Sequence, residues 1–314
     1  MSEQRVLIIE NPAHLRIDTG RLKIERDGFA HAFVAPKDVA VLCLEHHTIL
    51  LSVAVLRALA EAGAAVLVTD ARHLPCAMQL PLAATGLDAG RLRQQIVLDA
   101  SDKRAELWRQ LVVAKLATQA AALRVLGRNG ALRLERLSTQ VKSGDKGNAE
   151  GQGARHYWGC MFPPSFRRGK EGAEDPVNTR LNYGYAVLRA MIARALVAAG
   201  LNGALGLGHC NAENAFNLAD DFIEPYRFIV DAHLAREMDI WDEAPDFDSR
   251  AKRNLLGFVQ LPVRMAGQDM RLHAAIDATV ASFVRILEGK GSKLTLPVGL
   301  VISEDAAWVS TDGV

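Results

Sequence analysis

Four cysteines in 314 residues, Cys43, Cys76, Cys160 and Cys210, form no CxxC pair and are too scattered for a disulfide framework or a zinc site. Three of them lie in apolar or aromatic surroundings, where reduced, buried thiols are expected. No uninterrupted apolar run reaches the ~18 residues of a membrane span. The first residues, Met1-Ser2-Glu3-Gln4-Arg5, lack the basic region and apolar stretch of a secretory signal, so a cytoplasmic location with no membrane partner is expected. Nucleotide motifs are missing as well. Residues 203–208 do not make a GxGxxG between a strand and a helix, and Gly144-Asp145-Lys146-Gly147 lacks the spacing of a phosphate-binding loop. There is no Gly-x-Ser-x-Gly elbow, no internal repeat and no low-complexity tract.

What is present is an ordinary globular composition. With 49% hydrophobic residues the chain can bury at least one full core, as one large or two unequal domains. The formal net charge is only +1, but it is unevenly placed: residues 91–170 carry sixteen Lys/Arg against six Asp/Glu, a surplus of ten positive charges, which leaves −9 for the rest. Two readings of this asymmetry stay open, a face that binds a polyanion or a basic solvated helix paired with the acidic segment 237–248.

The first seventy-odd residues read as short strands at 6–9, 15–17, 22–26, 39–44 and 65–69, with turns at Asp18-Thr19-Gly20 and Asp27-Gly28. One helix is expected within 52–63, where Val53, Leu56 and Leu59 recur at helical spacing and Gly63 terminates. Pro75, Pro81, Gly86 and Gly90 mark a linker. From Ser101 the pattern turns helical, with Leu107, Leu111, Lys115 and Thr118 sharing a side with Trp108, Val112 and Leu116. Residues 187–199 read as a buried helix, and 216–237 as another that carries an acidic cluster and Arg227. The expected organisation is α+β: a small β-rich domain at 1–80, a linker at 81–94 and an all-helical domain at 95–314. The segment 163–172, turn formers mixed with charge, reads as a surface loop.

The acidic cluster carries the chemistry. Asp220 and Glu224 are four apart and Asp221 and Glu224 three apart, so on one helical face they repel unless solvent, a cation or a basic partner such as Arg227 offsets them. His209, in Gly208-His209-Cys210, precedes Glu224 by fifteen positions, and Glu150 opens Glu150-Gly151-Gln152-Gly153-Ala154-Arg155-His156-Tyr157-Trp158. Two carboxylates and an imidazole can hold a divalent ion, Mg²⁺ by the oxygens and Mn²⁺ once the imidazole joins. Together with Asp175-Pro176-Val177-Asn178-Thr179-Arg180-Leu181-Asn182-Tyr183-Gly184-Tyr185, these stretches resemble the CRISPR-associated adaptation integrases, the Cas1 family, in the version found beside type II effectors. The resemblance covers nearly the whole chain.

What the resemblance implies is specific. Glu150, His209 and Glu224 would bind the catalytic metal, Mg²⁺ or Mn²⁺, with Asp221 supporting them or serving as an alternate ligand. Arg155, Tyr157, Asn178, Asn182, Tyr183 and Arg227 would position DNA or support the site; apart from the resemblance, the charge of the basic segment makes Arg167, Arg168 and Lys170 expected DNA contacts. The implied fold is a β-sandwich-like N-terminal domain followed by a helical catalytic domain; separately, the apolar strands 39–44 and 65–68, too many for so small a domain to cover, place self-association mainly in residues 1–80. The implied reaction is transesterification, in which the 3′-hydroxyl of a captured spacer DNA attacks a phosphodiester at the edge of a CRISPR repeat. His209 would either ligate the metal or shuttle a proton. A homodimer, the small adaptation partner Cas2 and the RNA-guided effector nuclease of the locus are the implied partners. Two alternatives remain: a stand-alone metal-dependent DNase on branched or single-stranded DNA, and a non-catalytic DNA-binding scaffold whose acidic cluster is structural.

Overall fold

A computed structural model describes residues 5–70, 75–81, 89–169, 175–239 and 246–300; Lys170 and residues 240–245 of the acidic segment lie outside them. The N-terminal region is built from β1 (Arg5–Ile9), β2 (His14–Asp18), β3 (Arg21–Glu25), β4 (Ala32–Val34), β5 (Val39–Leu44), β6 (Leu50–Leu51), α1 (Val53–Glu61), β7 (Ala65–Thr69) and β8 (Pro75–Gln79). All five expected strands are present. The Asp18 turn is a two-residue hairpin, Thr19-Gly20, with φ of 47° and 77°, the pair of positive values that matches the right-handed twist of the flanking strands. Gly63, at φ 76°, ends α1 as its spacing predicts.

These strands make two four-stranded sheets, in order β1-β5-β7-β8 and β4-β3-β2-β6. In the first, β1, β5 and β7 run parallel, and a parallel sheet is stable when both faces are covered. The sequence of β5, Val-Ala-Val-Leu-Cys-Leu, is buried at every position. Leu42 and Leu44 join Leu15, Leu22, Ile24, Val55 and Leu59 in a core shared with the second sheet and α1. Val41, Cys43, Ala65 and Leu67 point the other way, into the helical core. One sheet therefore serves two cores and forms the wall between the two parts of the molecule.

The larger part contains α2 (Ala89–Asp99), α3 (Asp102–Val125), α4 (Ala131–Gln140), α5 (Ala149–Met161), α6 (Pro176–Ala198), α7 (Asn217–Ile223), α8 (Arg227–Met238), α9 (Ser249–Leu256), β9 (Pro262–Met265), β10 (Gln268–Arg271), α10 (Leu272–Leu287) and β11 (Pro297–Leu300). It is not all-helical. β10, β9 and β11 pair antiparallel in a three-stranded sheet whose tight turn, Ala266-Gly267, takes φ of 50° and 78°. The long helix α3 runs through the centre, against α4, α5, α8, β11 and the turn Glu224–Tyr226. Its buried face holds Leu107, Leu111, Lys115 and Thr118, the side predicted from spacing.

The helix expected over 216–237 is broken. Pro225 has no amide hydrogen to continue the backbone ladder, and Glu224–Tyr226 tightens into a 3₁₀ turn that separates α7 from α8. The thiols also differ from expectation: Cys43 is buried, Cys160 half-buried, and Cys76 and Cys210 exposed. Burial pushes the Cys43 thiol up to about 12, which keeps it unreactive. Among the described residues no helix is long and apolar enough to cross a membrane.

Candidate active site

Glu150 is placed by a doubly capped helix start. The Asp145 carboxylate accepts from the amides of Ala149 at 2.8 Å and Glu150 at 3.0 Å, while Asn148, at φ 51°, accepts from the Gly151 amide at 3.2 Å. These bonds satisfy donors that a helix start leaves unpaired, and they fix Glu150 in the first turn, where the helix dipole favours a carboxylate. One turn along, Gly153 lies so close to α3 that a Cβ there would collide with the Leu116 side chain. This approach brings Glu150 to Lys115, whose buried ammonium donates to Glu150 Oε1.

Glu224 reaches the same ammonium from the other side. Its Oε1 accepts from Arg227 Nε at 3.0 Å, and its Oε2 faces Lys115 Nζ at 2.5 Å. That Oε2 is buried and lacks a hydrogen bond of adequate geometry, so only the ion pair compensates it. Burial acts to raise the Glu224 carboxyl, but Arg227 and then Lys115 overcome it and hold the group at about 2. Burial likewise acts to lower Lys115, and Glu224 and Glu150 reverse that and hold the ammonium above its ordinary value.

Asp221, completely buried, organises the loop that carries His209. Its carboxylate accepts from the amides of Leu207, Gly208 at 3.1 Å and His209 at 2.9 Å, and from His209 Nδ1 at 2.7 Å. The loop wraps this carboxylate so closely that a Cβ at Gly206 would sit 2.8 Å from Asp221 Oδ2, and one at Gly208 would enter the Trp108 ring. Trp108 meets the imidazole edge-on, with ring centroids 5.8 Å apart. The bond to Asp221 raises the His209 pKa against desolvation, and Glu224 adds to the effect. With Nδ1 committed to Asp221, Nε2 carries the ring's open function. Asp220 is occupied elsewhere, in a fork with Arg189 at 2.6 and 2.8 Å.

Among the described residues no three His, Cys, Asp or Glu side chains stand together as a metal-binding group. What the fold brings together is narrower than the expected triad: Glu150 and Glu224 share one cation position, filled by Lys115, and His209 stands within electrostatic reach of Glu224. The glutamate pair fits a divalent ion, because two carboxylates already converge on a cation and one buried oxygen has no hydrogen bond. Lys115 and Asp145 carried no expected role. An isolated Lys on the apolar side of α3 was the legible signal for the first.

Of the expected DNA residues, Tyr157, Asn178 and Tyr183 are buried and cannot touch a backbone. Tyr157 donates to Asp231 Oδ2 at 3.0 Å, Tyr183 donates to Glu45, and Asn178 donates to the Arg167 carbonyl at 2.8 Å. Arg168 donates to Asn178 Oδ1 and Asn182 Oδ1, each at 2.7 Å, and stacks over Tyr185 and Trp158, while Arg227 serves Glu224. Arg155 and Arg167 are exposed. The segment at 163–169 is tied down on one side, since Phe166 packs on Phe162 and Trp158. Among the described residues, the acidic-segment alternative is met at Arg128 with Asp239, 2.7 Å apart.

The family model described as CRISPR associated protein Cas1 matches residues 6–256. The chain belongs to the Cas1 family. The CRISPR-associated endonuclease Cas1 of Neisseria meningitidis serogroup C (strain 8013) is 36% identical over 302 residues, covering 96% of this chain and 98% of that protein, which fits the type II-like version of the family. A Pyrobaculum aerophilum relative, CRISPR-associated endonuclease Cas1 2, is 29% identical over 249 residues, 74% of this chain and 82% of that one. Among solved structures, a casposase bound to integration product superposes with a TM-score of 0.76 at 22% identity, covering 94% of this chain and 93% of that one. A Cas1 protein from Thermotoga maritima gives 0.72 at 12% identity over 91% and 98%. At these identities the likeness concerns the Cas1 fold.

Proposed function

We propose that this chain is a metal-dependent DNA integrase of CRISPR adaptation that joins the 3′-hydroxyl ends of captured spacer DNA to the repeat. The observation that carries the reading is the pair Glu150 and Glu224, set on separate elements around one buried cation position beside His209. Membership of the Cas1 family and the shared fold of a casposase bound to integration product support it.

In the reaction the 3′-oxygen forms a bond to the repeat phosphorus while the bond to the displaced 3′-oxygen breaks. One proton leaves the attacking hydroxyl and one returns to the displaced oxygen, so one ester replaces another and no energy source is consumed. A bound Mg²⁺ or Mn²⁺ would supply charge stabilisation at the phosphate and acidify the attacking hydroxyl. Glu150 and Glu224 hold that position negative, and the charge of Arg227, bonded to Oε1, helps keep Glu224 ionised while Oε2 faces the cation position. Asp221 orients His209 so that Nε2 can ligate or move a proton. The exposed Arg155 and Arg167 offer backbone contacts, and Lys170 belongs to the same basic stretch. A second copy would pair through residues 1–80, where Leu50 and Val53 are exposed, so that two sites serve the two ends of one fragment. Cas2 is the further protein partner proposed, and one solved relative is titled as a Cas6-RT-Cas1–Cas2 complex, with a TM-score of 0.69 at 16% identity over 93% of this chain and 36% of that one. The effector nuclease of the locus is also proposed as a partner.

Two other readings have support. The relatives' names favour a DNase, in which water replaces the 3′-hydroxyl. The Lys115 and Arg227 pairings favour a scaffold, because they offset the acidic cluster without a metal. Strand-transfer assays with labelled spacer and repeat DNA in Mn²⁺ separate all three. Glu150→Ala and Glu224→Ala should each reduce joining below detection while the protein stays folded. Hydrolysis without joining would select the DNase, and full joining by the double variant would sink the metal assignment.

A further inference from the structure

Lys115 sits at 5% exposure on the apolar face of α3, and its ammonium lies between the two glutamates assigned above. The two glutamates are held to different degrees. The Asp145 and Asn148 caps fix the backbone of Glu150, while the Pro225 turn fixes that of Glu224 and Arg227 also holds its carboxylate. Without a cation between them, the buried carboxylate of Glu224 and the half-buried one of Glu150 would face each other, an arrangement that proteins avoid by protonation or local opening.

The two basic neighbours of Glu224 are built differently. Arg227 binds Oε1, and its guanidinium stacks 4.6 Å from the centre of the Tyr185 ring, so it is held from two directions. Lys115 faces Oε2 as a compact point charge on a flexible four-carbon stem, with no ring stacked on it among the described contacts. Arg227 is a fixed partner and Lys115 a replaceable one.

We propose that Lys115 is the resident cation of the site: it holds Glu150 and Glu224 in place when no metal is bound, and its ammonium must be displaced for a divalent ion to enter. This inference rests on the metal reading above. It makes Lys115 a positioning residue that preforms the site and lowers metal affinity by direct competition.

The test uses the full chain without DNA. Mn²⁺ binding is followed by titration calorimetry, and thermal unfolding is measured in EDTA and in Mn²⁺, for the wild type and Lys115→Met. The variant should bind Mn²⁺ at least tenfold more tightly, melt at a lower temperature in EDTA, and gain more from Mn²⁺ than the wild type does. Mn²⁺ binding by both proteins with equal affinity would overturn the proposal while leaving the metal reading intact. Failure of both to bind Mn²⁺ would remove the metal reading and this competition with it. Should Lys115→Met not fold, the double variant Lys115→Met, Glu150→Gln decides. With one carboxylate left for Arg227 it should fold in EDTA, whereas an unfolded double variant would reduce Lys115 to a packing role and overturn the proposal.

Discussion

The Lys252 and Lys115 clusters each bury a lysine against glutamate, and they differ in a way that separates structure from chemistry. At the junction of the two parts, Glu45 follows β5 with a side chain at 0% exposure, and both oxygens are used: Tyr183 of α6 donates to one and Lys252 of α9 to the other. Phe247 packs against both donors and helps exclude water. At the candidate active site, Glu150 is 32% exposed and Glu224 Oε2 lacks a hydrogen bond. At the junction the glutamate is sealed with both oxygens bonded, whereas at the candidate site one of the two glutamates, Glu150, stays partly open to solvent. Burial of ions alone says little about function, whereas a partly exposed carboxylate that shares a buried cation with another marks a place a ligand can reach.

That contrast can be broken from either side. The largest stability effect belongs to the junction: Glu45→Ala leaves Lys252 buried with only Glu10, at 3.9 Å, and should cost about 3–5 kcal/mol in urea unfolding. Strand transfer per folded molecule should be retained, and a loss under about 1 kcal/mol would show that the junction is wetter than its geometry implies. Next comes Asp221→Asn, which should lower strand transfer by roughly 10- to 100-fold, because Asp221 acts through the His209 loop rather than on DNA. A drop as complete as that of Glu150→Ala would make Asp221 a ligand.

The smallest expected effect is a pH dependence. Asp221 raises the folded-state pKa of His209 above its ordinary value, so the pair stabilises fully below about pH 6.5 and loses that contribution as pH rises through the raised value. In EDTA, the melting-temperature difference between wild type and His209→Gln should shrink as the pH is raised above about 6.5. A difference that grows with pH would mean that His209 is held neutral.

The elements that were legible in the sequence are those whose signals are local. The Asp18 hairpin, the Gly63 stop and the apolar face of α3 depend on residues a few positions apart. The three-stranded sheet was missed because its strands have four residues each and its turn places Ala266, rather than Asn or Asp, at a positive φ. The break at Pro225 was legible from the proline itself, and the helical spacing that continues on both sides masked it. At the site, Glu150, His209 and Glu224 stood out through the resemblance, but Lys115 required a contact across thirty-five positions to Glu150 and a longer one to Glu224. Tyr183 illustrates the opposite error, since a residue near a motif turned out to brace Glu45.

The double-faced sheet has a consequence for how this chain can be divided. Cutting between β8 and α2 would strip Val41, Cys43, Ala65 and Leu67 of their cover and leave the matching helical surface equally bare. Each fragment would carry a sticky wound and the broken Glu45 cluster, so aggregation, rather than a clean monomer, is the natural fate of both halves. Self-association of the N-terminal part is therefore a question for point changes at the exposed Leu50 and Val53, with the molecule kept whole.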